Sequence, residues 1–410
     1  MTSSRKKILI VTSAHLCRNP RVVKEANALA LAGYNVTVVT NSTHAPSLIH
    51  DAPILDSAHF KLDLALNLFS SNPFHRLSGL YSRAITRLAR FLVSKFKAPI
   101  AEALGPIRQL NRKIRDSDFD LCIAHTELGL LAALSALPDR TRLAVDFEDW
   151  YSEDLLPEHR SYLPMNLIRQ AESTALNQAT FVLCPSMAMA KALNKEYGGT
   201  APIVIENTFP LQAISTPTKS TQPTSLLWFS QTIGPGRGLE SFIRLWKEIP
   251  GDSTLTLLGS ASPEYRNMLE CEAEEARNRL LFHPLVSTEE LPNTIANYDI
   301  GLALETNSIP SRDLTITNKL FQYMNAGLAV ICTPTQGQQE VLQQMPEAGW
   351  ILDWNDPDTP SRLKGILDDA ESIHRARIAA RTLVETTYHW ESTQKKLLHC
   401  VEQCFETSHP

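Results

Sequence analysis

Short apolar runs of four to six residues alternate with helical stretches along both halves of the chain, and this pattern constrains the fold more than any other feature. Strands of a parallel sheet are covered by helices on both faces, so they read as continuous apolar runs rather than as alternating ones. In the first half such runs stand at 8–11, 36–39, 121–124, 143–147, 181–184 and 203–205. Asn19 and Pro20 form a helix cap and first helical position, Val22, Ala26, Leu29 and Ala30 share one face, and Gly33 ends the helix. Further helices are expected around 167–176 and 187–197. Residues 215–224, STPTKSTQPT, hold no large apolar side chain and read as a linker. The alternation then restarts, with strands at 226–229, 255–258, 300–303, 329–332 and 350–352. A chain of 410 residues suits two domains of about 200 residues, each with its own core. The expectation is α/β, with two doubly wound Rossmann-like domains facing across a cleft. Their bounds are 1–214 and 225–385, and a last helix within 386–410 crosses back to the first domain.

Sheets of this kind bind ligands beyond the carboxyl ends of their strands. Two loops there suit an anion. The first, residues 230–238, contains Gln231, Gly234, Gly236, Arg237 and Gly238 ahead of a helix starting near Leu239. Glycines allow close backbone approach, free amides point out of the helix start, and the Arg237 fork fits phosphate oxygens. The same run also fits a tight turn with an exposed arginine. A nicotinamide-binding fold would carry an acid after the next strand, whereas Leu258 is followed by Gly259 and Ser260. The second loop opens TNKLFQYMNAGLAVI: Thr315 or Thr317 caps a short helix, Asn318 follows, and Lys319 adds a charge one position inside. Arg237 and Lys319 with two sets of helix amides form a grip for a diphosphate; alternatively, Lys319 sits in water.

KLFQYMNAGLAVI resembles the K-x-F-E-Y-M-x-x-G-x-P-V-I segment of retaining glycosyltransferases of the GT-B fold, family 4 type. The resemblance spans nearly the whole chain. Residues 19–22 through 33–36 are similar to the family's first helix and second strand, 146–149 (DFED) to its D-x-H-E segment, and 205–208 (IENT) to its I-x-N-G turn. Arg237-Gly238 resembles the family's K-G, and 388–391 (YHWE) its F-x-W. This implies a nucleotide-sugar donor, UDP-linked by expectation, on the second domain and an acceptor substrate on the first. The family's phosphate-binding Arg and Lys fall on Gln231 and Arg237. Its E-x7-E falls on Leu314, with Asp313 one position off, and on Gln322, which still hydrogen-bonds a ribose hydroxyl without a full charge. Glu305, just past a strand end, is the choice for the contact to the donor sugar. Retention is drawn in this family as attack from the face on which the diphosphate leaves, so stabilising the leaving group dominates. No cofactor or metal is then required, and the chain has no compact D-x-D after an apolar strand.

On the acceptor side, His125 follows the strand 121–124 directly and is read either as catalytic or as a hydrogen-bonded structural residue. Asp146, Glu148 and Asp149, followed by Glu153 and Asp154, put five carboxylates in nine residues; some orient an acceptor substrate and others are solvated. His15, Arg18 and Arg21 lie in the first strand-to-helix loop on the cleft side, where they are read either as acceptor contacts or as helix-capping or exposed residues. The stretch 72–115 carries ten Arg or Lys against Glu102 alone, so it is +9 in a chain whose net charge is −5. Tyr81, Ile85, Leu88 and Leu92 recur at helical spacing beside Arg83, Arg87 and Arg90. This is the pattern of a membrane-surface helix drawn to anionic lipid, or of a domain helix with a solvated basic face.

With 43% hydrophobic and 20% charged residues, the totals exclude disorder, and no base-stacking module suggests nucleic acid. Seven cysteines without a CxxC spacing suit a reducing cytoplasm. No apolar run approaches a membrane span or a signal peptide, so any membrane contact is expected to be peripheral. The expected activity is metal-independent, retaining transfer of a sugar from a nucleotide-sugar to a glycan, lipid-linked or small-molecule acceptor. The alternatives are a nucleotide-sugar 2-epimerase and a catalytically inactive nucleotide-sugar-binding partner, the latter because Gln231 and Gln322 stand where the family has charge.

Overall fold

The computed structural model describes residues 5–156, 160–213 and 223–407. Residues 215–222 of the expected linker lie outside them. The chain forms two compact units, Met1–Ile205 with Gln394–Pro410, and Glu206–Thr393.

In the first unit seven parallel strands form a sheet in the order β3-β2-β1-β4-β5-β6-β7. They are β1 (Lys7–Val11), β2 (Asn35–Ser42), β3 (Lys61–Asn67), β4 (Leu121–His125), β5 (Leu143–Asp146), β6 (Phe181–Cys184) and β7 (Ile203–Val204). The central strands are buried almost throughout, as their unbroken apolar runs require. The helix Pro20–Leu31 opens as expected, the Asn19 side chain accepting from the Val22 amide. Its buried face includes two charged residues, Arg21 and Glu25, alongside Val22, Ala26 and Leu29. From Gln394 the last helix, Trp390–Thr407, belongs to this unit. There the Phe405 ring lies 5.8 Å from that of Tyr34.

The second unit holds a six-stranded parallel sheet in the order β10-β9-β8-β11-β12-β13. Its strands are β8 (Ser225–Ile233), β9 (Thr254–Ala261), β10 (Leu280–His283), β11 (Ile300–Ala303), β12 (Ala329–Cys332) and β13 (Gly349–Ile351). Apolar clusters fill both faces, one around Trp228, Phe242 and Trp246 and the other around Phe321, Tyr323 and Met324. Three strands differ from the sequence reading: β3 and β10, at edges of their sheets, are additional, and β8 continues past residue 229. The continuation passes through a bulge between Phe229 and Thr232, which turns Gln231 to solvent and brings Ile233 back into the core.

All seven cysteines are free thiols. Among the described residues no helix is long and apolar enough to cross a membrane.

Candidate active site

In the second unit the helix Asn318–Asn325 is held against the sheet by Tyr323. Its ring packs over Gly301, where a Cβ would come within 2.1 Å of it, and its hydroxyl donates to the Leu302 carbonyl at 3.2 Å. This clamp sets the helix start beside the carboxyl end of β11. Thr317 occupies the N-cap position without capping; its hydroxyl donates to Glu305 at 3.2 Å. Lys319 is nearly buried, its Nζ 2.6 Å from Glu305 Oε1 and 5.5 Å from the centre of the Trp228 ring. Burial alone would favour the acid form of Glu305. Lys319, the hydrogen bonds from Lys319 and Thr317, and the field of Arg237 outweigh it and hold the carboxyl below the usual range. Lys319 is therefore not the open cation the sequence suggested, because a buried ammonium needs a counter-charge and Glu305 supplies it. Asn318 accepts from the Asn207 amide at 2.8 Å, and Gln322 is half-buried.

The turn between β8 and the helix Leu239–Lys247 holds Gly234, Gly236 and Gly238. Gly238 has φ 77°, and a Cβ there would lie 2.3 Å from the Leu304 carbonyl oxygen, so its glycine serves the approach of two backbones within the protein. Gly236 is exposed, with φ 74° and open space around it. Arg237 between them is half-exposed. Among the described residues its guanidinium has no hydrogen bond or ion pair, while its charge is felt at Glu305 and Tyr265.

In the first unit His125, Asp146 and Glu148 do come together at the carboxyl ends of β4 and β5, joined by Arg21, Glu25 and Asn19 from the first helix and its cap. Arg21 grips Asp146 with two hydrogen bonds, Nε to Oδ2 at 2.7 Å and Nη2 to Oδ1 at 3.0 Å, and donates a third to the Ile205 carbonyl. Burial opposes the charge on Asp146, but Arg21 and His125 overcome it and its pKa falls. Asp146 is thus fully buried and bound, and is unavailable to an acceptor substrate. His125 is equally buried, with Nδ1 2.8 Å from Glu148 Oε1 and Nε2 3.2 Å from Glu25 Oε2. Both ring nitrogens face carboxylates, so neither is open to a substrate. Glu25, His125 and Asp146 form the one group of three potential metal-ligating side chains among the described residues, but the Arg21 guanidinium occupies the place of a cation there.

His15 is also engaged on both sides. Its Nε2 accepts from the Thr43 and His44 amides, so the ring proton sits on Nδ1, which donates to Asp51 Oδ2 at 2.7 Å. Arg18 is exposed beside His44, and Asp149 is half-buried. Glu153 pairs with Arg160 and Arg169, a structural use of one of the five clustered acids. Sequence reading named Arg21 beside the site but gave it to an acceptor or to exposure rather than to a buried ion pair, and it missed Glu25. Their signal was two charges, four residues apart, on the otherwise apolar face of an amphipathic helix.

Two parallel α/β sheets, each with polar groups gathered at strand carboxyl ends, define a protein of the doubly wound ligand-binding class. The sequence profile of Glycosyltransferase Family 4 matches residues 21–212, and that of Glycosyl transferases group 1 matches residues 224–362. The chain belongs to the family 4-type glycosyltransferases of the GT-B fold. Its structure is similar to sucrose-phosphate synthase from Thermosynechococcus elongatus, with TM-score 0.70 and 14% identity over 98% of this chain and 100% of that one. Anabaena HepE in complex with UDP gives TM-score 0.68 and 16% identity over 97% and 100%. WaaG, a glycosyltransferase involved in lipopolysaccharide biosynthesis, gives 0.57 and 14% over 95% and 98%. No curated protein sequence matches the chain.

Proposed function

We propose that this glycosyltransferase moves a sugar, with retention and without a metal, from a UDP-sugar held by the second unit to a hydroxyl of a glycan or lipid-linked acceptor held by the first. The observation that carries the donor side is Arg237: a guanidinium without an ion-pair partner among the described residues, set in a glycine-containing turn beyond a strand end. Such a group is a natural partner for a diphosphate, each charged hydrogen bond contributing roughly 1.5 to 3 kcal/mol. Lys319 contributes less than its sequence position implies, since Glu305 already matches its charge. Glu305, aligned by Thr317 and Lys319, is the group we assign to the donor sugar. The complex of HepE with UDP-glucose supports a UDP-sugar as donor. Incubation of the pure protein with a panel of UDP-sugars tests the reading through slow UDP release. Free epimer formed without an acceptor substrate replaces it with the 2-epimerase, and a protein that binds UDP but turns over no donor replaces it with the inactive partner.

The helix Pro73–Phe96 supports the membrane side of the proposal. It turns its small residues, Gly79, Ser82, Ala89 and Val93, inward, and leaves Leu77, Leu80, Tyr81, Leu88, Phe91 and Phe96 exposed among its arginines. An amphipathic helix with its large apolar side chains facing water is suited to the headgroup boundary of an anionic bilayer. Charge reversal of Arg83 and Arg87 tests this by vesicle pelleting. Arg90 is left intact, because it donates to the Ala103 carbonyl and stacks on Tyr162.

A further inference from the structure

Glu25 is completely buried, yet neither of its oxygens has a well-formed hydrogen bond among the described residues. Its closest charge contacts are Oε1 at 3.3 Å from Arg21 Nε and Oε2 at 3.2 Å from His125 Nε2, with the Asp146 carboxylate within 4.8 Å. Its neighbours on the helix face are Val22, Ala26 and Leu29, where an apolar side chain would be the more stable choice. A buried carboxylate kept under those conditions calls for a use. His125 gives the direction of that use. With Glu25 ionised beside Arg21, a neutral imidazole would aim a lone pair at one of two carboxylate oxygens, so the ring carries both protons: Nδ1 donates to Glu148 at 2.8 Å, and Nε2 faces Glu25 at 3.2 Å in a charge contact without a well-formed hydrogen bond.

Glu148 lies at the far end of the line and is about a fifth exposed. Its Oε1 accepts from His125 Nδ1 and from the Asn19 amide at 2.7 Å, while Oε2 has no hydrogen bond among the described residues. We propose that Glu25 is a positioning residue that works through His125. It holds the ring as a two-way donor, so that His125 and Asn19 together saturate one oxygen of Glu148 and leave the other to receive the hydroxyl of the acceptor substrate. The hydroxyl hydrogen bond is the only part that rests on the glycosyl-transfer reading.

The surrounding charges agree with this assignment. His125 is faced by Glu25 from the first helix, by Asp146 from β5 and by Glu148 beyond it, while Arg21 and Lys24 act on Glu25 from the same helix. Burial presses the imidazolium towards neutrality, but the three carboxylates prevail and push its pKa up to about 10. Burial and Asp146 push the Glu25 pKa up as well, to about 7, against the pull of His125 and Arg21.

The test uses the full chain and has two arms. Carbon–proton NMR of the histidine rings should show His125 protonated beyond pH 9 in the unaltered protein, and titrating at least one pH unit lower in Glu25→Gln. A His125 that titrates near its ordinary value in the unaltered protein overturns the proposal. In the second arm, UDP affinity of Glu25→Gln should stay within twofold. UDP release from UDP-glucose should fall progressively relative to the unaltered protein, reaching tenfold by pH 9, with Glu25→Asp restoring part of it. A loss equal at every pH marks a merely structural role and overturns the proposal; Glu25→Asp serves alone if the glutamine variant does not fold. If the unaltered protein neither binds UDP nor releases it, the glycosyl-transfer reading fails, while the NMR arm still decides whether Glu25 holds the ring.

Discussion

At the carboxyl ends of β1, β4 and β5, Arg21, Glu25, His125 and Asp146 close on one another inside the protein. In the turn after β8, by contrast, Arg237 stands half-exposed and without an ion-pair partner among the described residues. Both regions occupy the place where doubly wound sheets bind ligands. In the first unit charge is consumed by positioning, and a single carboxylate, Glu148, reaches the surface of the cluster. In the second, positioning is done by apolar packing through Tyr323 and by close backbone contact at Gly238, which leaves a cation open. Charge in a site is thus informative only once its partners are counted: Lys319, which looked like the equal of Arg237, belongs with the paired group.

The strongest way to break this contrast is to remove the cation of the interior cluster. Arg21→Met leaves Asp146 and Glu25 buried without their guanidinium, and should lower stability by about 3 to 5 kcal/mol in chemical denaturation. A loss under 1 kcal/mol would show that the cluster is not held by charge. Lys319→Met should behave as a milder copy, costing about 2 kcal/mol of stability because Glu305 is left unmatched. Were Lys319 instead an open phosphate ligand, UDP affinity would fall and the unfolding midpoint would not. Arg237→Ala should do the reverse, weakening UDP binding tenfold or more by calorimetry, about 1.4 kcal/mol, with the unfolding midpoint unchanged. Unaltered affinity removes Arg237 from the site.

The smallest effect expected is one of pH. The folded-state pKa of His125 is raised above its ordinary value of 6.5, so its stabilising contribution is complete below about pH 6.5 and is lost as pH rises through about 10. The thermal midpoint of the unaltered protein should therefore fall more between pH 7 and 10 than that of His125→Gln. Parallel curves would place the proton elsewhere.

Much of the fold was legible because buried parallel strands announce themselves as unbroken apolar runs. Residues 181–184, 300–303 and 329–332 read as strands from sequence and are strands over the same residues. The edges were not legible. KLDLALN of β3 mixes polar with apolar residues because it is only partly buried, and LLFH of β10, buried only at its first residue, ends on a histidine and lacks the unbroken apolar run of the inner strands. The end of β8 looked like loop because the bulge interrupts the alternation at Gln231 and Thr232. In the site, chain position was enough to find His125 and Glu148 at strand ends. It could not show that His125 is shut in between two acids, since Glu25 lies 100 residues away in sequence. The Glu305 and Lys319 pair was invisible for the same reason: no local spacing links a strand end to the first turn of a helix 14 residues later.

The helix Pro73–Phe96 turns glycine, serine, alanine and valine inward, with Ala89 and Val93 packed against Ala103 and Ile100; side chains this small bury little apolar area and so contribute little to cohesion. Its outer residues are correspondingly free of obligations to the interior. Over evolutionary time these outward positions can be rewritten at little cost to the fold, while the strands keep their register.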